Sequence, residues 1–222
     1  MYTREKRQLR KKENNPKWKK KRHNNAIIKN MIIPIIVGIT LGLIAKWVDV
    51  PELTSELPIF DDIFARFGIW IFTATLLSIF SDTPMYAAIR VFIFFVSMVF
   101  SYYIYTILFL GFFPKEQIIL WSIISLISPF CGAIIWNVRG NGEISCILAA
   151  LPITILYTEW YLTGNENGLL FIAYAFMTVF FIIFIFQNIK QCLSIMVITV
   201  ILSFILIKTG TINYLYIRLL NI

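Results

Sequence analysis

MIIPIIVGITLGLIA, residues Met31 to Ala45, carries no charged side chain, yet it lies just downstream of MYTREKRQLRKKENNPKWKKKRHNN, residues 1 to 25. Between Arg4 and Arg22 that leading segment holds eleven of the chain's twenty Lys and Arg. Basic residues gather on the cytoplasmic side of membrane spans, so the boundary places the amino terminus inside and sets the direction of each later crossing. Composition agrees. Hydrophobic residues make up 59% of the 222 and charged residues 14%, against roughly 45–50% and about 25% in soluble domains. A chain of this length could not bury so much apolar surface in water, and lipid must solvate most of it. Residues 1–22 account for eleven basic and two acidic side chains, which leaves nine of the twenty bases and ten of the twelve acids elsewhere. The net charge of +8 therefore belongs to the arm.

The hydropathy pattern predicts an all-α, polytopic transmembrane bundle. Residues 1–25 read as a disordered basic cytoplasmic arm, and 26–222 as the bundle. Seven apolar segments are expected as helices, over about 26–48, 63–80, 85–113, 118–136, 144–162, 169–187 and 192–207. Twenty helical residues span roughly 30 Å, the thickness of the hydrocarbon layer. Because 192–207 is short, six crossings with both ends inside is the alternative. The loop DVPELTSELPIFDD, residues 49–62, has five acids and no base, as an external loop should, and its apolar spacing suggests a short interfacial helix interrupted by Pro58. Arg90, Arg139 and Lys190 fall at cytoplasmic ends. Trp47, Trp70, Trp121 and Trp160 fall near the outer interface, where aromatic belts form. Pro34, Pro129 and Pro152 lie inside spans and are expected to bend or break them.

Candidate functional residues are few. His23, the only histidine, lies in the arm, which excludes a His-based metal site or a Ser-His-Asp triad in the membrane. Cys131, Cys146 and Cys192 sit in apolar runs without a CxxC spacing and read as small buried hydrophobes. Nothing in the pattern calls for a cofactor. An intramembrane enzyme would need two cooperating polar groups at one depth. The only such set is Lys46, Arg66, Glu159 and Tyr105, near the outer ends of different helices. Ionisable groups bordering hydrocarbon usually face a cavity, a partner or water. This set could line a pocket for a small polar or zwitterionic solute, or could pair structurally at headgroup level. Asp82 and Arg90 flank the turn SDTP and are expected to form an ion pair that fixes a cytoplasmic hairpin. Gly38 and Gly42, with Ala45, give a GxxxG face for close helix packing, inside the bundle or onto a partner subunit. The arm could also hold anionic headgroups, each base near the surface contributing about 1 kcal/mol. It lacks the interleaved aromatics that single-stranded nucleic acid requires.

The block FGIWIFTATLLSIFSDTPMYAAIRVFIFFVSMVFSYYIYTILFLGFFPK, residues 67–115, with ISPFCGAIIW at 127–136, resembles an uncharacterised family of small multi-pass membrane proteins of low-GC Gram-positive bacteria. The likeness is carried by the TP–AA–R turn, the YYIYT stretch and GFFPK, and it implies a plasma-membrane location and no particular activity. A looser likeness, in size, helix count and the small-residue face of the first helix, is to the substrate-binding subunits of energy-coupling-factor transporters. It implies transport at the level of fold analogy alone.

If the leader is cytosolic, protease added outside intact cells should leave residues 1–25 uncut, while permeabilised cells should lose them. Cleavage without permeabilisation would reverse the topology.

Overall fold

The computed structural model describes residues 16–49, 58–111, 113–140, 142–163, 168–185 and 188–215. The described residues form helices and connecting turns. They comprise α1 (Pro16–Val48), α2 (Pro58–Ala65), α3 (Phe67–Ile79), α4 (Pro84–Tyr105), α5 (Lys115–Ile135), α6 (Glu143–Thr163), α7 (Gly168–Ile185), α8 (Ile189–Thr209) and the short α9 (Thr211–Leu215). A π turn at Thr106–Leu110 extends α4, and a 3-10 turn at Trp136–Arg139 extends α5. Six of these segments are long and apolar enough to cross a membrane: Asn30–Val48, Pro84–Leu110, Lys115–Arg139, Glu143–Thr163, Gly168–Ile185 and Ile189–Thr209. The chain is an all-α, multi-pass integral membrane protein. Large apolar side chains such as Phe130, Ile172 and Phe204 lie exposed on its periphery, as a lipid-facing surface requires.

Local signals explain most boundaries. Pro84 opens α4, where a missing N–H leaves no bond unmade. Thr83 caps α4 by accepting a hydrogen bond from Tyr86 N at 3.2 Å, and Asn188 caps α8 by accepting one from Gln191 N at 2.8 Å. Gly210, in the left-handed region at φ 63°, ends α8. The eighth helix, expected to be short, therefore runs for 21 residues and meets the length of a span. Two expectations need correction. Residues 16–25 of the arm belong to α1; Lys and Arg are good helix formers and extend a helix already nucleated by its apolar part. Residues 1–15 lie outside the described residues. Pro129 does not break α5. Its missing N–H frees the carbonyl of Ser125, and the Ser128 hydroxyl donates to that carbonyl at 2.8 Å, so no backbone acceptor is stranded in the membrane.

Helix directions settle how often the chain traverses the bundle. Gly38 faces Phe94 and Ser97, Gly42 faces Met98 and Ser101, and Asp49 meets Tyr102, so α1 and α4 run parallel. Gln191 Nε2 donates to Gly140 O at 3.3 Å and Ser203 Oγ to Thr154 O at 3.4 Å, so α6 and α8 are parallel as well. Two parallel helices need a return pass between them. For α1 and α4 that pass is α3, although its 13 residues cover only about 20 Å. Among the described residues the chain passes through the bundle seven times, six of them in segments long and apolar enough to cross a membrane.

Apolar on every face, α3 lies at the centre and contributes to both buried clusters. One cluster joins Trp70 and Leu77 to Ala45, Phe94, Phe95 and Met98. The other joins Ile79 to Ile153, Leu156, Tyr174 and Phe181. Trp70 is thus a core residue and not part of the outer belt. It packs edge-on against Trp121, with ring centroids 6.0 Å apart, because its indole N–H is needed at the α2–α3 break.

A Cβ on Gly42 would lie 2.7 Å from Met98 O, and one on Gly38 2.5 Å from Phe94 O. The glycine face is filled by α4, which leaves no room there for a partner helix. Gly42→Leu should destabilise the detergent-solubilised protein by at least about 2 kcal/mol, as overpacking does. Leu at Ile36, on the lipid face, should be silent in the same thermal-aggregation assay.

Candidate outer ion-pair site

The chain breaks helix geometry at Arg66, whose φ of −96° and ψ of 158° are extended, between the end of α2 and the start of α3. A break inside a membrane protein strands backbone groups, and these need partners. Trp70 Nε1, one turn into α3, donates to Phe64 O at 3.0 Å and spans the gap. The same break carries the Arg66 side chain towards α6. There Nη1 lies 3.3 Å from Glu159 Oε2. The Glu159 side chain is fully buried, whereas that of Arg66 is 20% exposed, so the pair joins the protein interior to the outer rim.

Glu159 stands four residues before the outer end of α6. Its helix turn is tightened by Thr163 Oγ1, which donates to Glu159 O at 2.8 Å. Beside the pair, Gly68 in the first turn of α3 lets the Tyr174 ring approach so closely that a Cβ would come within 2.2 Å of Cε1. The Tyr174 hydroxyl is buried with no hydrogen-bond partner among the described residues.

The four residues expected to line an outer pocket fall into three settings. Arg66 and Glu159 meet directly. Lys46 instead pairs with Asp49, three residues on, and lies over the Tyr102 ring at 5.0 Å from its centroid; the Tyr102 hydroxyl donates to Asp49 Oδ2 at 2.9 Å. That triad closes the outer end of α1 onto α4, with a basic residue at the negative end of a helix. Tyr105 stacks on Phe109, ring centroids 4.6 Å apart, in the π turn that ends α4. The composition of an apolar helix hid Tyr174. Its signal is a lone phenol in the uncharged run LLFIAYAFMTVFF, beside a glycine just after the α2–α3 break.

At the opposite end of the bundle, Arg90 makes no ion pair with Asp82 within 4 Å. The buried guanidinium turns to the end of α3, donating to Phe80 O at 2.8 Å and to Ser81 Oγ at 3.3 Å, while Asp82 stays exposed. Unpaired carbonyls at a helix end draw a cation more strongly than a solvated carboxylate does. Among the described residues no group of three His, Cys, Asp or Glu side chains is placed to hold a metal ion.

Two cavities lie deeper. One of about 360 Å³ separates α3, α4, α5 and α6 at mid-membrane. One of about 160 Å³ is bordered by Thr178, Thr199 and Trp160, whose hydroxyls and indole N–H are buried without partners among the described residues.

Comparison with protein-family models, with curated proteins and with solved structures finds no match to this chain.

A carboxylate held in the protein interior next to a guanidinium depends on that neighbour. Arg66→Met should cost roughly 3 kcal/mol of stability, the order seen when one partner of a buried pair is removed. Pairing it with Glu159→Leu should recover most of that loss. A double-mutant cycle with no coupling would show the two side chains to be independent.

Proposed function

We propose that this membrane protein is a small-solute transporter or a transport-accessory subunit of the plasma membrane, with the Arg66–Glu159 pair at the outer end of its solute site. The observation that carries the reading is a fully buried carboxylate, Glu159, paired with an arginine at a break between two helix segments. Ionisable groups are expensive inside membrane proteins and mark sites more often than scaffolding. Transporters place such groups where membrane helices are interrupted, because extended backbone and a movable half-helix can both serve a ligand.

The pair also suggests the chemistry of the ligand. A zwitterion offers Arg66 a carboxylate and Glu159 an ammonium, so it could enter by exchanging partners without stranding either charge. The pair therefore selects for small solutes that carry both signs. Lys46 and Tyr105 drop out of the ligand set, since both are held elsewhere; Tyr174 joins it through its buried hydroxyl beside Gly68. The reading is non-enzymatic. The competing role, a scaffold that docks a partner helix on Gly38 and Gly42 and holds anionic lipid with its arm, loses its docking face to α4.

In proteoliposomes on a solid-supported membrane, a panel of amino acids and betaines should evoke a transient current from the wild type. Glu159→Gln should abolish the response while leaving membrane abundance close to wild type. Equal currents from both proteins would retire the site, and silence of the wild type across the panel would retire the zwitterion assignment.

A further inference from the structure

The larger cavity is a separate site from the outer ion pair, and its walls describe its occupant. Sequential helices α5 and α6 diverge, since α5 packs along α4 while α6 packs along α7 and α8. The cleft between them is floored by α3. Ile71, Phe95, Ile124, Ile127, Leu151 and Ile155 form most of its surface. Ser128 lies about midway along the Lys115–Arg139 segment and Pro152 about midway along Glu143–Thr163, which puts the cleft at the centre of the bilayer. Its mouth faces lipid: Ile127 is 53% exposed, Leu151 is 44% exposed, and Cys131 beside them is exposed as well.

Polar groups in the wall are few: Thr75, Ser78, Ser128 and the Cys131 thiol. The Ser78 hydroxyl donates to Gly132 O at 2.7 Å and the Ser128 hydroxyl to Ser125 O at 2.8 Å, so both protons are committed within the protein. Apolar cavities of this kind stay dry, and an empty one forfeits the dispersion contacts of its whole lining. From Ile124 to Ile135 the cleft follows α5 for about 16 Å at 1.5 Å per residue.

We propose that this cleft is a binding site for one acyl chain of a bilayer phospholipid, which enters sideways between α5 and α6. Depth, length along α5, apolar lining and lateral mouth match a linear chain already dissolved in the surrounding hydrocarbon. The headgroup stays outside at the interface, so the site is indifferent to its charge.

The test uses the intact protein in vesicles of phosphatidylethanolamine and phosphatidylglycerol that contain a phosphatidylcholine with a mid-chain diazirine. After illumination and digestion, adducts on Ile127, Cys131, Leu151 and Ile155 should exceed those on the lipid-facing Val197 and Phe204 by about tenfold, equivalent to about 1.4 kcal/mol of preference over annular lipid. Ala74→Phe, which fills the cleft from α3, should reduce the excess to the annular level while labelling at Val197 and Phe204 persists. Uniform labelling of the wild-type protein would overturn the proposal, whatever the variant does. Loss of the excess on adding a polyprenyl phosphate, at unchanged phospholipid, would overturn the acyl-chain assignment; an unchanged excess supports it.

Discussion

A helix of 13 residues ending inside a membrane protein leaves its last carbonyls without partners, and hydrocarbon cannot supply them. At the inner end of α3 the protein supplies them all from nearby elements. Arg139 Nη1 donates to Ile79 O at 2.8 Å, Arg90 Nη1 to Phe80 O at 2.8 Å, and Trp136 Nε1 to Ser81 O at 2.9 Å. Ser81 Oγ closes Leu77 O at 2.7 Å. The two arginines arrive from α4 and from the turn after α5, so satisfying one helix end ties three elements into a single knot. Hydrogen bonds from charged donors contribute about 1.5–3 kcal/mol each, which makes this knot the strongest polar feature of the inner half. The positive-inside rule expects these cations on the cytosolic side.

The outer half is built on the opposite principle. There α3 begins at a break, braced by one indole bond, one ion pair and the Gly68–Tyr174 contact. The elements that converge there, α2, α6 and α7, meet α3 through side chains. Below the break, α5 follows α4 away from α6 and leaves the cleft open to lipid.

The sequence made most passes legible because the long spans are apolar runs with few charges, and the positive-inside rule supplies their expected direction. It also placed a turn at SDTP, and α4 starts there at Pro84. Pairing was less legible. Asp82 and Arg90 are close in sequence and opposite in charge, but a helix end full of bare carbonyls outcompetes an exposed carboxylate, and only the fold reveals where that helix ends. Lys46, Arg66, Glu159 and Tyr105 share a depth; depth fixes one coordinate, while rotation about each helix fixes the partner. For Lys46 the nearest carboxylate was three residues away, on its own side of the bundle. Trp70 sits at belt depth too, yet it points inward because the break at Arg66 leaves Phe64 O in need of a donor.

The short central helix also explains why counting long apolar segments gives six and the direction of the chain gives seven. A span must cover the hydrocarbon only where lipid touches it. α3 is wrapped by α4, α5, α6 and α7, so protein, and not lipid, sets the length it must cover, and a break that would be ruinous on the periphery is tolerable in the middle. By the same logic the charged pair at that break lies in protein: Glu159 is buried by neighbouring helices and reaches the outer rim only through Arg66. The polar site and the short helix have one cause, since a helix that need not reach the outer lipid boundary by itself can end early and give its broken end to a pair of charges.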